Sequence, residues 1–96
     1  MDNVRIGVIG LGHLGSLHAK VYKEIPACSL VGICDINQGR ATEVSANLGV
    51  ASFTDYRKLF GKVDAVSITV PTKSHFEVAS ECLKQKTHVL VEKPFT

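Results

Sequence analysis

Val4-Arg5-Ile6-Gly7-Val8-Ile9-Gly10-Leu11-Gly12-His13-Leu14-Gly15 is the stretch on which the reading turns. Its first half is β-prone and mostly apolar, and it closes at Gly10, so Val4–Ile9 reads as a buried strand. The next six residues spell G-x-G-x-x-G. Beyond them, Leu14, Leu17, His18, Val21, Tyr22 and Ile25 recur at i, i+3, i+4, i+7, i+8 and i+11, the pattern of one helical face, and Pro26 stops it. Strand, glycine turn and helix thus follow without a break.

The same alternation runs to the end of the chain. Residues 30–34 read as a second strand, followed by a helix with Asn37 as N-cap, Ala41, Val44 and Leu48 inward, and Gly49 past its end. Ala51–Phe53 is a short third strand, and residues 56–60 a short helix capped by Thr54. Residues 65–70 form a fourth strand ended by Pro71. Ser74 and Glu77 make a capping box for a helix with Val78, Ala79, Cys82 and Leu83 inward, and His88–Val91 is a fifth strand. Apolar strands alternating with helices predict an α/β fold whose parallel sheet is covered on both faces. Right-handed crossovers give a doubly wound, Rossmann-like order, 3-2-1-4-5, in one domain over residues 1–96. The usual sixth strand has no counterpart, so the sheet is expected to be incomplete at its C-terminal end.

In this context the glycines carry a chemical meaning that the pattern alone lacks. Gly10 permits a tight turn, Gly12 lets a pyrophosphate approach the backbone, and Gly15 lets helix and strand pack closely. The N–H groups around His13 and Leu14 then face the anion, assisted by the helix dipole. Asp35, 20 residues past Gly15 with Ile36 beside it, stands where a carboxylate accepts hydrogen bonds from the adenosine ribose. A 2′-phosphate there would meet like charge, costing up to about 4 kcal/mol at an effective dielectric near 20. NAD is therefore expected over NADP. Arg40 begins near the same pocket and could pair with a 2′-phosphate, but reads first as a solvated helix residue. Asp35 has a second reading, as a capping residue upstream of Asn37.

Ligands of open parallel sheets lie beyond the carboxyl ends of the strands. Val70, Pro71, Thr72 and His75 follow strand four, and Glu92, Lys93 and Pro94 follow strand five. With the glycine pattern and Asp35, Pro71-Thr72-x-x-His75 and Glu92-Lys93-Pro94 resemble the glucose–fructose oxidoreductase/inositol dehydrogenase (Gfo/Idh/MocA) family over nearly the whole chain. The resemblance implies an N-terminal NAD(P)-binding domain. It also implies a second domain, not in these residues, that holds a sugar or polyol substrate and makes homo-oligomer contacts. Lys93 would be the catalytic lysine that hydrogen-bonds the reacting hydroxyl, and its ammonium could stabilise alkoxide character there. Pro94 would bias Lys93 to an extended backbone, Glu92 would hold the lysine or the nicotinamide ribose, and Thr72 and His75 would touch the cofactor. The chain by itself is expected to bind dinucleotide without turnover.

Composition narrows the field further. Hydrophobic residues are 45% and charged residues 21% of the 96, an ordinary globular mixture. A net charge of +2 gives no reason to expect a nucleic-acid or membrane partner, and no apolar run approaches the roughly 18 residues of a bilayer span. Three cysteines without C-x-x-C spacing suggest free thiols in a reducing cytoplasm, and no pair of histidines has metal-ligand spacing. His18, on an apolar face, reads as a satisfied core histidine. Two competing functions share the fold: a non-catalytic dinucleotide sensor or scaffold, and an S-adenosylmethionine-dependent methyltransferase. Gly15 and the lysine after strand five argue against the latter.

Overall fold

The computed structural model describes residues 4–70, 72–85 and 87–91. Five parallel strands stand in the order β3-β2-β1-β4-β5: β1 Val4–Ile9, β2 Cys28–Cys34, β3 Ala51–Phe53, β4 Ala65–Ile68 and β5 His88–Val91. Between them run α1 His13–Glu24, α2 Gln38–Leu48, a 3₁₀ turn at Tyr56–Leu59, and α3 Thr72–Lys84. Order and direction match the sequence expectation, which makes this a Rossmann-like doubly wound sheet.

Successive strand residues feed opposite layers, as the pleat requires. Val8 and Ile33 pack with Leu11, Ala19, Ala41 and Val44 beneath α1 and α2. Ile9 and Cys34 pack with Leu59, Val66, Ile68, Val78 and Cys82 beneath the 3₁₀ turn and α3. β1 and β2 shift register between Ile6 and Gly7, so Ile6 pairs with Leu30 and Gly7 with Gly32.

Several boundaries move for identifiable reasons. β2 starts two residues before the expected strand, because Val4 pairs with Cys28 from its first residue. β4 stops at Ile68: the Thr69 N–H makes the last ladder bond, to the Ile9 carbonyl (2.9 Å), and beyond it β1 turns away at Gly10 (φ +95°) with Leu11 N donating to Asp35. The 3₁₀ turn is capped by Asp55, whose carboxylate accepts from Arg57 N at 2.9 Å, and not by Thr54. α3 begins at Thr72, which places Ser74 inside its first turn, so the expected capping box is not the start of the helix. Leu83 is 62% exposed rather than inward. On α1 the face against the sheet is the one with small residues: Gly15 and Ala19 are buried, whereas Leu17 and Val21 stay half-exposed. Small side chains let the helix approach the strands closely, so the wider apolar stripe overstates the buried face. α2 follows expectation at both ends. Asn37 Oδ1 accepts from Arg40 N at 3.0 Å, and Gly49 closes the helix in the left-handed conformation (φ 68°).

Candidate functional site

The site grows out of the loop between β1 and α1. Gly10 takes φ +95°, a value that L side chains rarely adopt, and its N–H donates to the Cys34 carbonyl at 2.8 Å. A Cβ at Gly15 would run into the Gly10 carbonyl oxygen and the Thr69 hydroxyl, so the first turn of α1 passes against the loop with no room to spare. Gly12 differs, because a Cβ there would meet nothing within 4 Å. It is also the N-cap of α1, with no side chain to satisfy the first helical N–H groups and no acidic residue in the first turn. Open space beside a helix start without a side-chain cap, at the positive end of the helix dipole, suits a diphosphate.

Four side chains hold the loop. Asp35 Oδ2 accepts from Leu11 N at 2.7 Å. Thr69 Oγ1 donates to the Gly10 carbonyl at 2.6 Å from the far side. Ser16 Oγ and Arg40 Nη1 both donate to the Leu11 carbonyl, at 3.0 and 3.2 Å. Asp35 Oδ1 also accepts from Asn37 N at 2.8 Å. The carboxylate thus fastens the glycine loop and the start of α2 together, which joins the two readings of Asp35. Each oxygen keeps acceptor capacity for a ribose hydroxyl. Arg40 is an exposed residue of α2, as its sequence reading has it, and its guanidinium also reaches the loop through Nη1.

A cavity of about 590 Å³ opens at this carboxyl edge of the sheet. Gly10, Leu11 and Gly12 form one wall, and Cys34, Asp35 and Ile36 another. Thr69, Val70, Glu77 and Val78 face them, with Thr54 and Tyr56 closing one side. Ile36 is 92% exposed, an apolar side chain held out beside the carboxylate, where an adenine ring would find an apolar neighbour. Burial, then the charge of Asp35, pushes the Cys34 thiol up to about 12, so this cavity residue stays a protonated thiol. A smaller hollow of about 420 Å³ between α2 and β3 contains none of the predicted residues and lies off the loop.

The structure thus brings together Gly10, Gly12, Gly15, Asp35, Ile36 and Val70. His13 and Leu14 start α1, and Thr72 and His75 lie in the first turn of α3. Pro71, Glu92, Lys93 and Pro94 lie outside the described residues; β5 ends at Val91, paired with Ile68 at the same sheet edge. His18 is half-buried, with Nδ1 3.4 Å from Ser67 Oγ and its ring edge-on to Tyr22. Sequence reasoning assigned no site role to Ser16, Thr69, Thr54, Tyr56 or Glu77, and read Thr54 and Glu77 only as helix caps. Ser67 and Thr69 had a signal, two hydroxyls at strand spacing in an otherwise apolar run; the other four had none. Among the described residues no group of three or more His, Cys, Asp or Glu could hold a metal ion. Among them, too, no helix is long and apolar enough to cross a membrane.

Residues 4–96 match the oxidoreductase family GFO/IDH/MocA, described as an NAD-binding Rossmann fold. The chain belongs to that family. Within it, the chain is 47% identical over its whole length to UDP-N-acetylglucosamine 3-dehydrogenase of Acidithiobacillus ferrooxidans, and covers 30% of that protein. It is 40% identical to myo-inositol 2-dehydrogenase of Thermotoga maritima, over 97% of the chain and 29% of that enzyme. The crystal structure of the Acidithiobacillus enzyme superimposes with a TM-score of 0.90 over the whole chain and 31% of its own. The scyllo-inositol dehydrogenase of Lactobacillus casei, solved with NAD(H) and scyllo-inositol, gives 0.89 at 29% identity, over 97% of this chain and 28% of its own. The chain therefore spans about 30% of the length of its Gfo/Idh/MocA relatives, and it corresponds to their NAD-binding domain.

Proposed function

We propose that this chain serves as the cofactor domain of a longer dehydrogenase that moves hydride between NAD and a carbinol carbon of a sugar, cyclitol or related polyol. The observation that carries this reading is the loop itself: Gly12, with open space at its Cβ position, stands at the start of a helix with no side-chain cap, next to Leu11, whose N–H is fastened to the strand-end carboxylate of Asp35. The sugar and inositol substrates named for the relatives support the polyol class.

The nicotinamide supplies the hydride acceptor or donor when NAD is bound. The chain's residues do the rest. Gly12, His13 and Leu14 offer backbone donors to the diphosphate, and Asp35 accepts from the adenosine ribose. Ile36 and Val70 would flank the adenine, and Pro71, Thr72 and His75 would be further cofactor contacts. Lys93 holds the substrate hydroxyl and stabilises the oxygen as its proton leaves, with Glu92 and Pro94 setting the lysine's position. Asp35 favours NAD over NADP by like-charge repulsion of a 2′-phosphate. The three free cysteines, Cys28, Cys34 and Cys82, support a reducing cytoplasm as the compartment. Homo-oligomer contacts belong to the part of the enzyme beyond this chain.

The test uses the full protein, a panel of sugars and cyclitols, and Lys93→Met. Turnover should fall at least about a hundredfold while the Kd for NAD stays within about twofold. Undiminished turnover would remove Lys93 from the reaction. NAD binding with no turnover on any polyol by the unmodified protein would favour a sensor.

A further inference from the structure

We propose that Arg40 is a positioning residue for cofactor binding, acting through the Leu11 carbonyl to aim the donors of the glycine loop. The inference rests on the NAD-binding reading and assigns a role to a side chain one element away from the loop.

Arg40 sits in the first turn of α2, with its backbone N–H on Asn37 Oδ1 at 3.0 Å, so its side chain springs from a fixed point. Nη1 reaches back to the Leu11 carbonyl at 3.2 Å, where Ser16 Oγ also donates at 3.0 Å. That carbonyl shares a planar peptide with the Gly12 N–H, and in a trans peptide the two point in opposite directions. Two donors gripping the oxygen therefore set the direction of the Gly12 N–H, next to the open space at Gly12. The peptide on the other side of Leu11 is fixed independently, by Asp35 Oδ2 on Leu11 N at 2.7 Å. Leu11 is completely buried. The residue thus lies between a cation on its carbonyl and an anion on its N–H, and neither peptide can swing without losing a charge-assisted bond. A lone Ser16 hydroxyl would hold the oxygen but leave it a wider arc.

Arg40→Met tests this, because it keeps the aliphatic stem and removes every donor. Ser16 still satisfies the Leu11 carbonyl, and the Arg40 backbone bond to Asn37 is retained, so the fold should persist. Calorimetric titration of the full protein with NAD and with NADP should show both weakened by about five- to tenfold. Their ratio should not change, and the unliganded melting temperature should not move. Arg40→Lys, which restores one donor, should recover part of the affinity. Wild-type NAD affinity in Arg40→Met would overturn the proposal. So would a loss confined to NADP, which would make Arg40 a direct reader of the 2′-phosphate. So would weakened binding that tracks a fallen melting temperature in both variants, the mark of a merely structural residue. If the unmodified protein binds neither dinucleotide, the NAD reading itself fails, and this inference with it.

Discussion

Gly12 and Gly15 stand three residues apart in one loop, yet the protein needs their missing side chains for different reasons. At Gly15 the constraint is internal, since a methyl group would overlap the Gly10 carbonyl oxygen, a backbone atom that cannot rotate away. Gly15→Ala should destabilise the unliganded protein by at least about 3 kcal/mol in denaturant titration. At Gly12 the constraint is external. Its φ of −66° suits any residue, and nothing of the protein lies within 4 Å of a Cβ. Gly12→Ala should shift unliganded stability by less than about 1 kcal/mol, yet weaken NAD at least about tenfold by filling the diphosphate's space. Asp35 calls for similar care. Its oxygens hold Leu11 N and Asn37 N, so a serine there would disturb the loop as well as the ribose contact. Asp35→Asn removes the charge and keeps the shape and one of the two acceptors, so it gives up one of these two bonds where serine would shorten the side chain as well. It should weaken NAD and narrow its advantage over NADP, as titration with both dinucleotides will show. An unchanged ratio would remove Asp35 from cofactor choice.

At the scale of elements, what could be read in advance was whatever a local rule determines. Strand β1, the Asn37 cap and the Gly49 terminus of α2 stood as expected, because each follows from a few adjacent residues. The end of β4 did not, since it is set by the turn of β1 at Gly10, where Leu11 N donates to Asp35 and no longer to the neighbouring strand. The Arg40 bond to Leu11 and the buried face of α1 likewise depend on partners distant in sequence. The same holds for the contact that ties the 3₁₀ turn to α3: Tyr56 OH donates to Glu81 Oε2 at 2.5 Å, and Arg57 Nε to Glu81 Oε1 at 3.1 Å. This tie has a pH signature. The bond from Tyr56, then that from Arg57, holds the Glu81 carboxyl below its ordinary 4.5. Glu81 loses its proton more readily folded than unfolded, so its contribution is full above about that pH and fades as the solution is acidified further. Burial, then the bond to Glu81, pushes Tyr56 up to about 12, so its contribution is full below the ordinary 10.0 and is lost as pH climbs through 12. Tyr56→Phe should lower the neutral-pH melting temperature and flatten both flanks of the stability profile. Flanks as steep as those of the parent would show that the tie is idle.

For the molecule as a whole, the cavity lies where the two packed layers meet. Leu11 belongs to the layer under α1 and α2, whereas Cys34 and Val78 belong to the layer under the 3₁₀ turn and α3, and all three line it. A dinucleotide seated there would contact both layers at once, so opening of either would cost the bound state its ligand contacts. Binding to the folded state alone adds RT ln(1 + [L]/Kd), about 2.7 kcal/mol at a concentration a hundred times Kd. NAD should therefore raise the melting temperature in a concentration-dependent way, and amide exchange should slow in α2 and α3 together rather than in the loop alone. Gly12→Ala, binding about tenfold more weakly, should cut the gain to about 1.4 kcal/mol or less at the same NAD concentration and reduce the exchange protection, while leaving unliganded exchange rates as they were. Protection confined to one layer would mean that the cofactor rests against one face of the sheet and not across its carboxyl edge, and the contacts assigned to Val70 and Ile36 could not then both hold.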